Sequence, residues 1–509
     1  MNPMKKALLQ PLLAPCILWA WLCGFSPLYG NEVVLTNLTP QLMQNPVEIN
    51  PKGITILLAA DAMRSPEIVC LNSASKLGAK RFFLKQIPAG KKVAWNVSAP
   101  EAGVYSPTLL ILAKKGQKIE LEGPQNTITV TSDVDTWQRL EASEGLKLPQ
   151  GKSVISLRVE QGEIRSLKAM ELINVTEVEA VAKRIKAFKG DASWMSDAGY
   201  GIMVQAGGWD YPPTGAKMPW PGFAEKFNVT AFVDKVQEMG GSYIVWSTTW
   251  VDYLFPAPIQ SIAELLPNRV SKRDLLGDLI AECSKRKIKV LFYYHMGHDH
   301  EDVLLAKGWK AAGGKGNYQQ DYASRQKWLG NEEKIFTEIG QRYGDGLAGW
   351  FIDDGVVWYP ADFEKLGAAL KAGNPKRMIC YNTGTTGGAS VTPFQDFHSG
   401  EGFSGEKKNR FAVDANGFST DSVNKGLKLW GCFLFEPGNW GIAGPNYKIK
   451  PTSWTVDRVI NLNQMLLEKK FSVAINLLMY EDGTFSEKSY GILKEAAQRL
   501  KRGKWAKAE

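Results

Sequence analysis

Eight short segments, most of them apolar and ending at or near a polar residue, recur through the C-terminal three-fifths of this chain. They lie near 201–205, 243–248, 290–295, 348–353, 377–382, 395–401, 429–436 and 472–478. Segments of four to eight residues that are apolar throughout suit strands buried on both faces, as in a parallel sheet. Between several of them lie amphipathic stretches of helical period, at 230–239, 273–286, 332–343, 363–372 and 456–469. Asp274 and Asp278 place acid in the first turns of one such stretch, where the helix dipole favours it. Eight strands alternating with helices predict a TIM-like (β/α)8 barrel, a fold of about 250 residues or more. The helix after the sixth strand is poorly marked, so the expected barrel is irregular around strands 5 and 6.

The chain has 509 residues, more than one barrel needs. From 31 to 174 the rhythm differs. Runs such as Ile54-Thr55-Ile56-Leu57-Leu58, Thr108-Leu109-Leu110-Ile111-Leu112 and Val154-Ile155-Ser156-Leu157-Arg158-Val159 are separated by Gly, Pro and Asn turns, with no helical period between them. That pattern predicts a β-sandwich, either buttressing the barrel or binding carbohydrate. Residues 175–198 read as a short helix and linker, and 199–509 as the barrel. At the start, Lys5 and Lys6 precede an apolar run to about Leu28, followed by a small residue, Gly30. Residues 1–30 therefore read as a secretory signal, with a membrane anchor as the competing reading. Pro11, Pro15 and Pro27 interrupt a spanning helix. The expectation is a secreted or periplasmic protein with no stable membrane insertion.

The net charge of +9 is spread along the chain without an arginine-rich block, which argues against nucleic acid as partner. Removing the signal leaves four cysteines, Cys70, Cys283, Cys380 and Cys432, none at metal-ligand spacing. Seventeen tryptophans and sixteen tyrosines are compatible with stacking on sugar rings, and also with ordinary cores.

The polar residues that end the apolar segments are Gln205, Thr248 with Thr249, His295, Asp353 with Asp354, Asn382, Glu401, Glu436 and Asn476. In a barrel they converge on the C-terminal rim, where ligands bind. The run Leu347-Ala348-Gly349-Trp350-Phe351-Ile352-Asp353-Asp354-Gly355 is the sharpest of these ends, and read alone it is equally an acidic turn. Two carboxylates flanking a glycosidic bond suffice for its hydrolysis. Asp353 is the candidate nucleophile, with Asp354 as the alternative if the register is one residue off. Glu401 is the candidate acid/base, with Glu436 in reserve. Trp209, Trp250, Trp358 and Trp440 are candidate stacking platforms. Thr249, His295, Asn382, His398 and Gln205 are candidate hydroxyl binders. His295, His298 and His300 alternate along one loop, but match no strong metal motif, so no metal or cofactor is expected.

In order, these motifs resemble the α-L-fucosidases of glycoside hydrolase family 29 over about 199–501. Tyr200-Gly201-Ile202-Met203-Val204-Gln205 resembles the family's first strand. Trp350-Phe351-Ile352-Asp353-Asp354-Gly355 resembles its nucleophile segment. Asp396-Phe397-His398-Ser399-Gly400-Glu401 is similar to the segment carrying a glutamate acid/base, and Trp430 with Trp440-Gly441 to a tryptophan pair. The resemblance implies a retaining mechanism with a glycosyl-enzyme intermediate on Asp353. The chain departs from the family at Gln205, at Thr248-Thr249-Trp250 and at Gly431, where the family usually has two sites of histidine and a glutamate that grip fucose. A modified fucose, another deoxyhexose or a longer polysaccharide is then as compatible as fucose itself. The competing expectation is a glycan-binding protein on a barrel that has lost its chemistry.

Overall fold

The computed structural model describes residues 46–59, 62–75, 78–295, 322–353, 361–382, 390–404, 412–421 and 423–501. The signal segment, His298, His300, Asp354 and Trp358 lie outside the described residues.

Eight parallel strands form one sheet: β1 (Tyr200–Val204), β2 (Tyr243–Thr249), β3 (Lys289–His295), β4 (Leu347–Asp353), β5 (Met378–Tyr381), β6 (Phe397–Glu401), β7 (Lys428–Leu434) and β8 (Ser472–Asn476). Their order is β5-β4-β3-β2-β1-β8-β7-β6. The two ends of this order meet. The backbone N–H of Asp396, just before β6, donates to the carbonyl of Ile379 in β5 at 2.7 Å. The sheet is thus a nearly closed barrel with a seam between β5 and β6.

Period-two alternation sorts the strand residues into two cores. Met203, Tyr243, Val245, Leu291, Tyr293, Phe351, Met378, Cys380, Phe397, Trp430, Cys432 and Ala474 form a cluster of their own, one or two from each strand, which fills the barrel interior. The alternate residues, such as Ile202, Ile244, Phe292, Trp350 and Ile475, belong to the larger core that the helices cover. Burial on both faces is why these segments read as unbroken apolar runs.

The helices of eight residues or more are α1 (Val178–Phe188), α2 (Val229–Glu238), α3 (Leu275–Lys285), α4 (Tyr322–Tyr343), α5 (Phe363–Leu370), α6 (Val456–Glu468) and α7 (Glu487–Lys501). Four begin on a polar cap. Asn228, Asp274, Asp362 and Thr455 accept from the backbone N–H three residues on, which satisfies an otherwise orphaned donor. Helix α4 starts ten residues before the expected Glu332, because Ala323-Ser324-Arg325-Gln326-Lys327 carries no clean apolar stripe. Helix α7 was not anticipated: its buried face consists of Ser489, Leu493, Ala496 and Ala497, mostly residues too small to register as a stripe. Among the described residues no helix lies between β5 and β7.

The described residues between 47 and 174 carry thirteen strands in two further sheets. A six-stranded sheet contains Lys92–Ala99, Gly151–Arg158, Lys118–Glu122 and Thr127–Thr131; a seven-stranded sheet centres on Gly103–Ala113, Glu163–Asn174 and Gly78–Pro88. Thr127–Thr131 alternates exposed and buried, as expected of a sheet with one wet face. Glu163–Asn174 is buried almost without alternation, polar Lys168 and Glu171 included, so this central strand of the seven-stranded sheet is covered on both sides.

One buried group on the barrel's outer layer gives a pH test of the packing. Tyr294, on the outward phase of β3, donates to Glu332 of α4 at 2.8 Å, and the hydroxyls of Tyr253 and Tyr294 lie 2.7 Å apart. Burial pushes the Glu332 carboxyl from its ordinary 4.5 up to about 8. Because the folded-state value is raised, the folded state binds the proton more tightly than the unfolded chain. The corresponding stability is complete below about pH 4.5 and is lost as pH rises through about 8. Glu332→Gln removes that linkage. The melting temperature of the variant relative to the native chain is therefore expected to climb between pH 5 and about 9. A difference that stays flat across this range would contradict a buried, protonated Glu332.

Candidate functional site

The C-terminal rim of the barrel holds a cavity of about 70 Å³, open to solvent at its mouth and lined by Met203, Gln205, Trp250, Tyr293, Phe351, Asp353, Asn382, Glu401, Cys432 and Trp440. Asp353 shares the inward phase of Phe351, so its carboxylate continues the barrel interior upward into the cavity. It is held from two sides. The Tyr293 hydroxyl donates to Asp353 Oδ2 at 2.5 Å, and the Asn382 amide donates to Oδ1 at 2.7 Å. His295 Nε2 lies 3.8 Å from Oδ2.

The same Asn382 nitrogen also donates to Glu401 Oε2 at 3.0 Å. One nitrogen therefore bridges the two carboxylates, and their nearer oxygens are no farther apart than its two bond lengths together. That approach is compatible with the roughly 5–5.5 Å carboxyl spacing of retaining glycosidases. Among the described residues that line the cavity, none is a lysine or arginine.

The rest of the wall is set by buried contacts. Ser247 donates to the side-chain oxygen of Gln205, which fixes the amide. Gly441 sits against the opposite side: a Cβ there would come within 2.6 Å of the Trp250 ring and 2.8 Å of the Gln205 carbonyl. The glycine thus lets Trp250 close on Gln205 beside Trp440. Asn476 donates to the Trp440 carbonyl at 2.9 Å and ties the Trp440 loop to the end of β8. Cys432 forms part of the floor. Burial, and then the charges of Glu401 and Asp353, push its thiol up, so it stays protonated and a poor nucleophile. Cys380 and Cys432 are both buried free thiols.

Of the expected site residues, Gln205, Trp250, Asp353, Asn382, Glu401 and Trp440 come together at this cavity, with His295 behind Asp353. Four others do not face it. The Thr249 hydroxyl donates to the carbonyl of His295 at 2.7 Å and accepts from its N–H at 2.9 Å. A register shift between Ser247 and Thr249 turns that side chain into the β2–β3 ladder. Thr249 therefore positions His295. Trp209 stands behind Trp250, edge to face at 6.4 Å, and donates to the Gln205 carbonyl. His398 is buried one residue off the phase of Glu401, and so points out of the barrel. Glu436 follows the end of β7 and accepts from the Leu478 N–H at 3.2 Å, away from Asp353. Among the described residues, then, Glu401 and not the reserve Glu436 faces Asp353.

Tyr293 was missing from the expected set. The signal for it was available: it lies two residues before His295, on the same face of β3, and pairs with Phe351 as His295 pairs with Asp353. Gly431, where the resembled family carries a glutamate, faces a closed wall. A Cβ there would lie 2.5 Å from the Phe403 carbonyl, so no glutamate side chain fits. Among the described residues no group of three or more His, Cys, Asp or Glu is arranged to hold a metal ion. No described helix is long and apolar enough to cross a membrane.

No protein-family model and no curated protein matches the chain. Solved structures do show a likeness. An α-L-fucosidase from Lactobacillus casei in complex with α-L-fucose is 15% identical, with a TM-score of 0.42, over 63% of this chain and 99% of that one. A bacterial fucosidase bound to an inhibitor is 15% identical, with a TM-score of 0.44, over 62% of this chain and 76% of that one. An endo-fucoidan hydrolase from glycoside hydrolase family 107 is 16% identical, with a TM-score of 0.46, over 61% of this chain and 53% of that one.

Proposed function

We propose that this chain is a retaining glycoside hydrolase of α-L-fucosidase type, acting on fucose or a related deoxy sugar. The observation that carries the reading is the Asn382 amide bridging Asp353 and Glu401 across one small cavity. Asp353, oriented by Tyr293 and Asn382, attacks the anomeric carbon and forms a glycosyl ester as the aglycone leaves. Glu401 gives its proton to the departing oxygen. It then takes a proton from the water that attacks the ester, which regenerates both carboxyls. Gln205 and Asn382 offer hydrogen bonds to ring hydroxyls, and Trp250 and Trp440 offer faces for C–H stacking. Met203, Phe351 and Cys432 supply an apolar arc suited to the methyl group of a deoxyhexose.

The basic-then-apolar N-terminal segment supports export, so the glycan would be met outside the cytoplasm. We read the two N-terminal sheets as layers of a sandwich. The Trp95 indole of one donates to the Leu58 carbonyl of the other at 2.9 Å, with Trp95 3% exposed.

Proton NMR during hydrolysis of an aryl α-L-fucoside tests the function. The first sugar released is expected to be the α-anomer, before mutarotation. Release of the β-anomer would exclude the double displacement. An absence of cleavage across aryl glycosides of fucose and other deoxyhexoses would exclude hydrolysis of such sugars.

A further inference from the structure

The seven-stranded N-terminal sheet and the linker are more than an appendage, because they contact the seam of the described barrel ring. Strand β6 carries Glu401 and has a backbone ladder to β7. Among the described residues no ladder joins it to β5, and the sheet order ends at both strands. At the seam the side chain of Asp396 takes the place of a strand. Its carboxylate, 3% exposed, accepts from the Ile379 N–H at 2.7 Å and pairs with buried Lys371 at 3.1 Å.

The remaining partners come from before the barrel. The Gly190 N–H of the linker donates to Asp396 Oδ1 at 2.5 Å, and Lys189 Nζ donates to the carbonyls of Pro393 and Gln395 at 2.7 and 2.5 Å. Gly190 lies so close to β5 that a Cβ would be 2.6 Å from the Arg377 carbonyl. Farther back, Arg139 of the seven-stranded sheet pairs with Glu171 at 2.5 Å and reaches the Ser390 carbonyl at 3.3 Å. The approach to β6 is therefore held from both sides: by Lys371, Asn424 and Val423 of the barrel, and by these residues from before it.

We propose that the N-terminal sheet and linker, through Arg139, Lys189 and Gly190, are positioning elements for Glu401. The inference rests on the assignment of Glu401 as acid/base. A strand with a ladder on one side only can pivot about that ladder. Its base is fixed by the seam cluster, and its tip meets Asn382. Loosening the base moves the Glu401 carboxyl relative to Asp353, while β4, β3 and the nucleophile stay laddered on both sides.

Lys189→Met tests this with little risk to folding, since it keeps the aliphatic stem and leaves Asp396 paired with Lys371. The expected signature is a split by leaving group. The kcat/KM of a dinitrophenyl glycoside, which reports formation of the intermediate and needs no proton, stays within about threefold of the native chain. The kcat/KM of an alkyl or sugar glycoside falls on the order of tenfold to a hundredfold. Arg139→Met is expected to show the same split, with Arg139→Lys restoring part of it. Equal losses on both substrates, or none on either, overturn the proposal. A second readout does not depend on turnover. Hydrogen exchange of the β6 amides is expected to quicken in Lys189→Met while that of β8 does not change. Unchanged β6 exchange overturns the brace even if hydrolysis is confirmed. Quickened β6 exchange in a chain without hydrolytic activity supports the mechanical link and rejects the functional assignment instead.

Discussion

Asp353→Asn is expected to lower kcat on every glycoside by on the order of 10⁴-fold or more, the scale seen when a covalent catalyst loses a central group. The effect is chemical, because the shape is kept. An asparagine oxygen still accepts from the Asn382 amide, and its NH2 can donate to the Tyr293 oxygen where the carboxylate accepted from it. Melting temperature and the dissociation constant for the free sugar should therefore stay close to native values. The neutral amide cannot form a glycosyl ester, so aglycone release loses its first step whatever the leaving group. The smaller Asp353→Gly leaves room at the α-anomeric position's back face. Azide is expected to restore turnover there and to yield a glycosyl azide of opposite anomeric configuration. Native-level turnover by Asp353→Asn would remove Asp353 from the chemistry. A chain whose sugar binding survives in the double Asp353→Asn/Glu401→Gln variant, with no hydrolysis in the native form, would be a glycan-binding protein instead.

Most of the barrel was legible because burial on both faces leaves an unbroken apolar run; the strand Phe397–Glu401, with Phe397 its one large apolar residue, is the exception. All eight runs correspond to strands, displaced by a residue or two at their ends. The cavity was legible for the same reason: a run that stops at a polar residue marks the rim. What composition cannot give is direction. Glu401 and His398 lie three residues apart on β6 and were both read as rim residues, yet only Glu401 keeps the inward phase of Phe397. Thr249 was lost to a one-residue register shift that no local pattern announces. Glu436 lies past the last residue of β7, where alternation no longer applies. The seam was invisible for a different reason. Gly190 and Asp396 are 206 residues apart, and each reads locally as an ordinary linker or turn residue. Only the ring, once formed, makes them neighbours. The expected irregularity around strands 5 and 6 pointed to the place but not to the side chains that fill it.

Glu401→Gln is expected to separate the two chemical steps. With a dinitrophenyl leaving group, formation of the intermediate needs no proton and should proceed near the native rate, followed by slow hydrolysis and a pre-steady-state burst. With a sugar or alkyl leaving group the first step itself loses acid assistance, and kcat/KM should fall by about 10²–10⁴-fold. Azide, which needs no general base, should restore turnover on the activated substrate and give an azide of retained configuration, opposite in sense to the Asp353→Gly product. The pH profile supplies the control. Burial pushes the Glu436 carboxyl up to about 7, so a limb near neutrality can arise from that group through stability alone. Its folded-state value is raised, so the linked stability is present at low pH and is lost as pH rises through about 7. Glu436→Gln is therefore expected to change the pH dependence of unfolding while leaving the leaving-group split intact. Glu401→Gln is expected to do the reverse. If Glu436→Gln produced the burst and the azide rescue, and Glu401→Gln did not, the acid/base would lie on the wrong side of β7, and the Asn382 bridge would be structural.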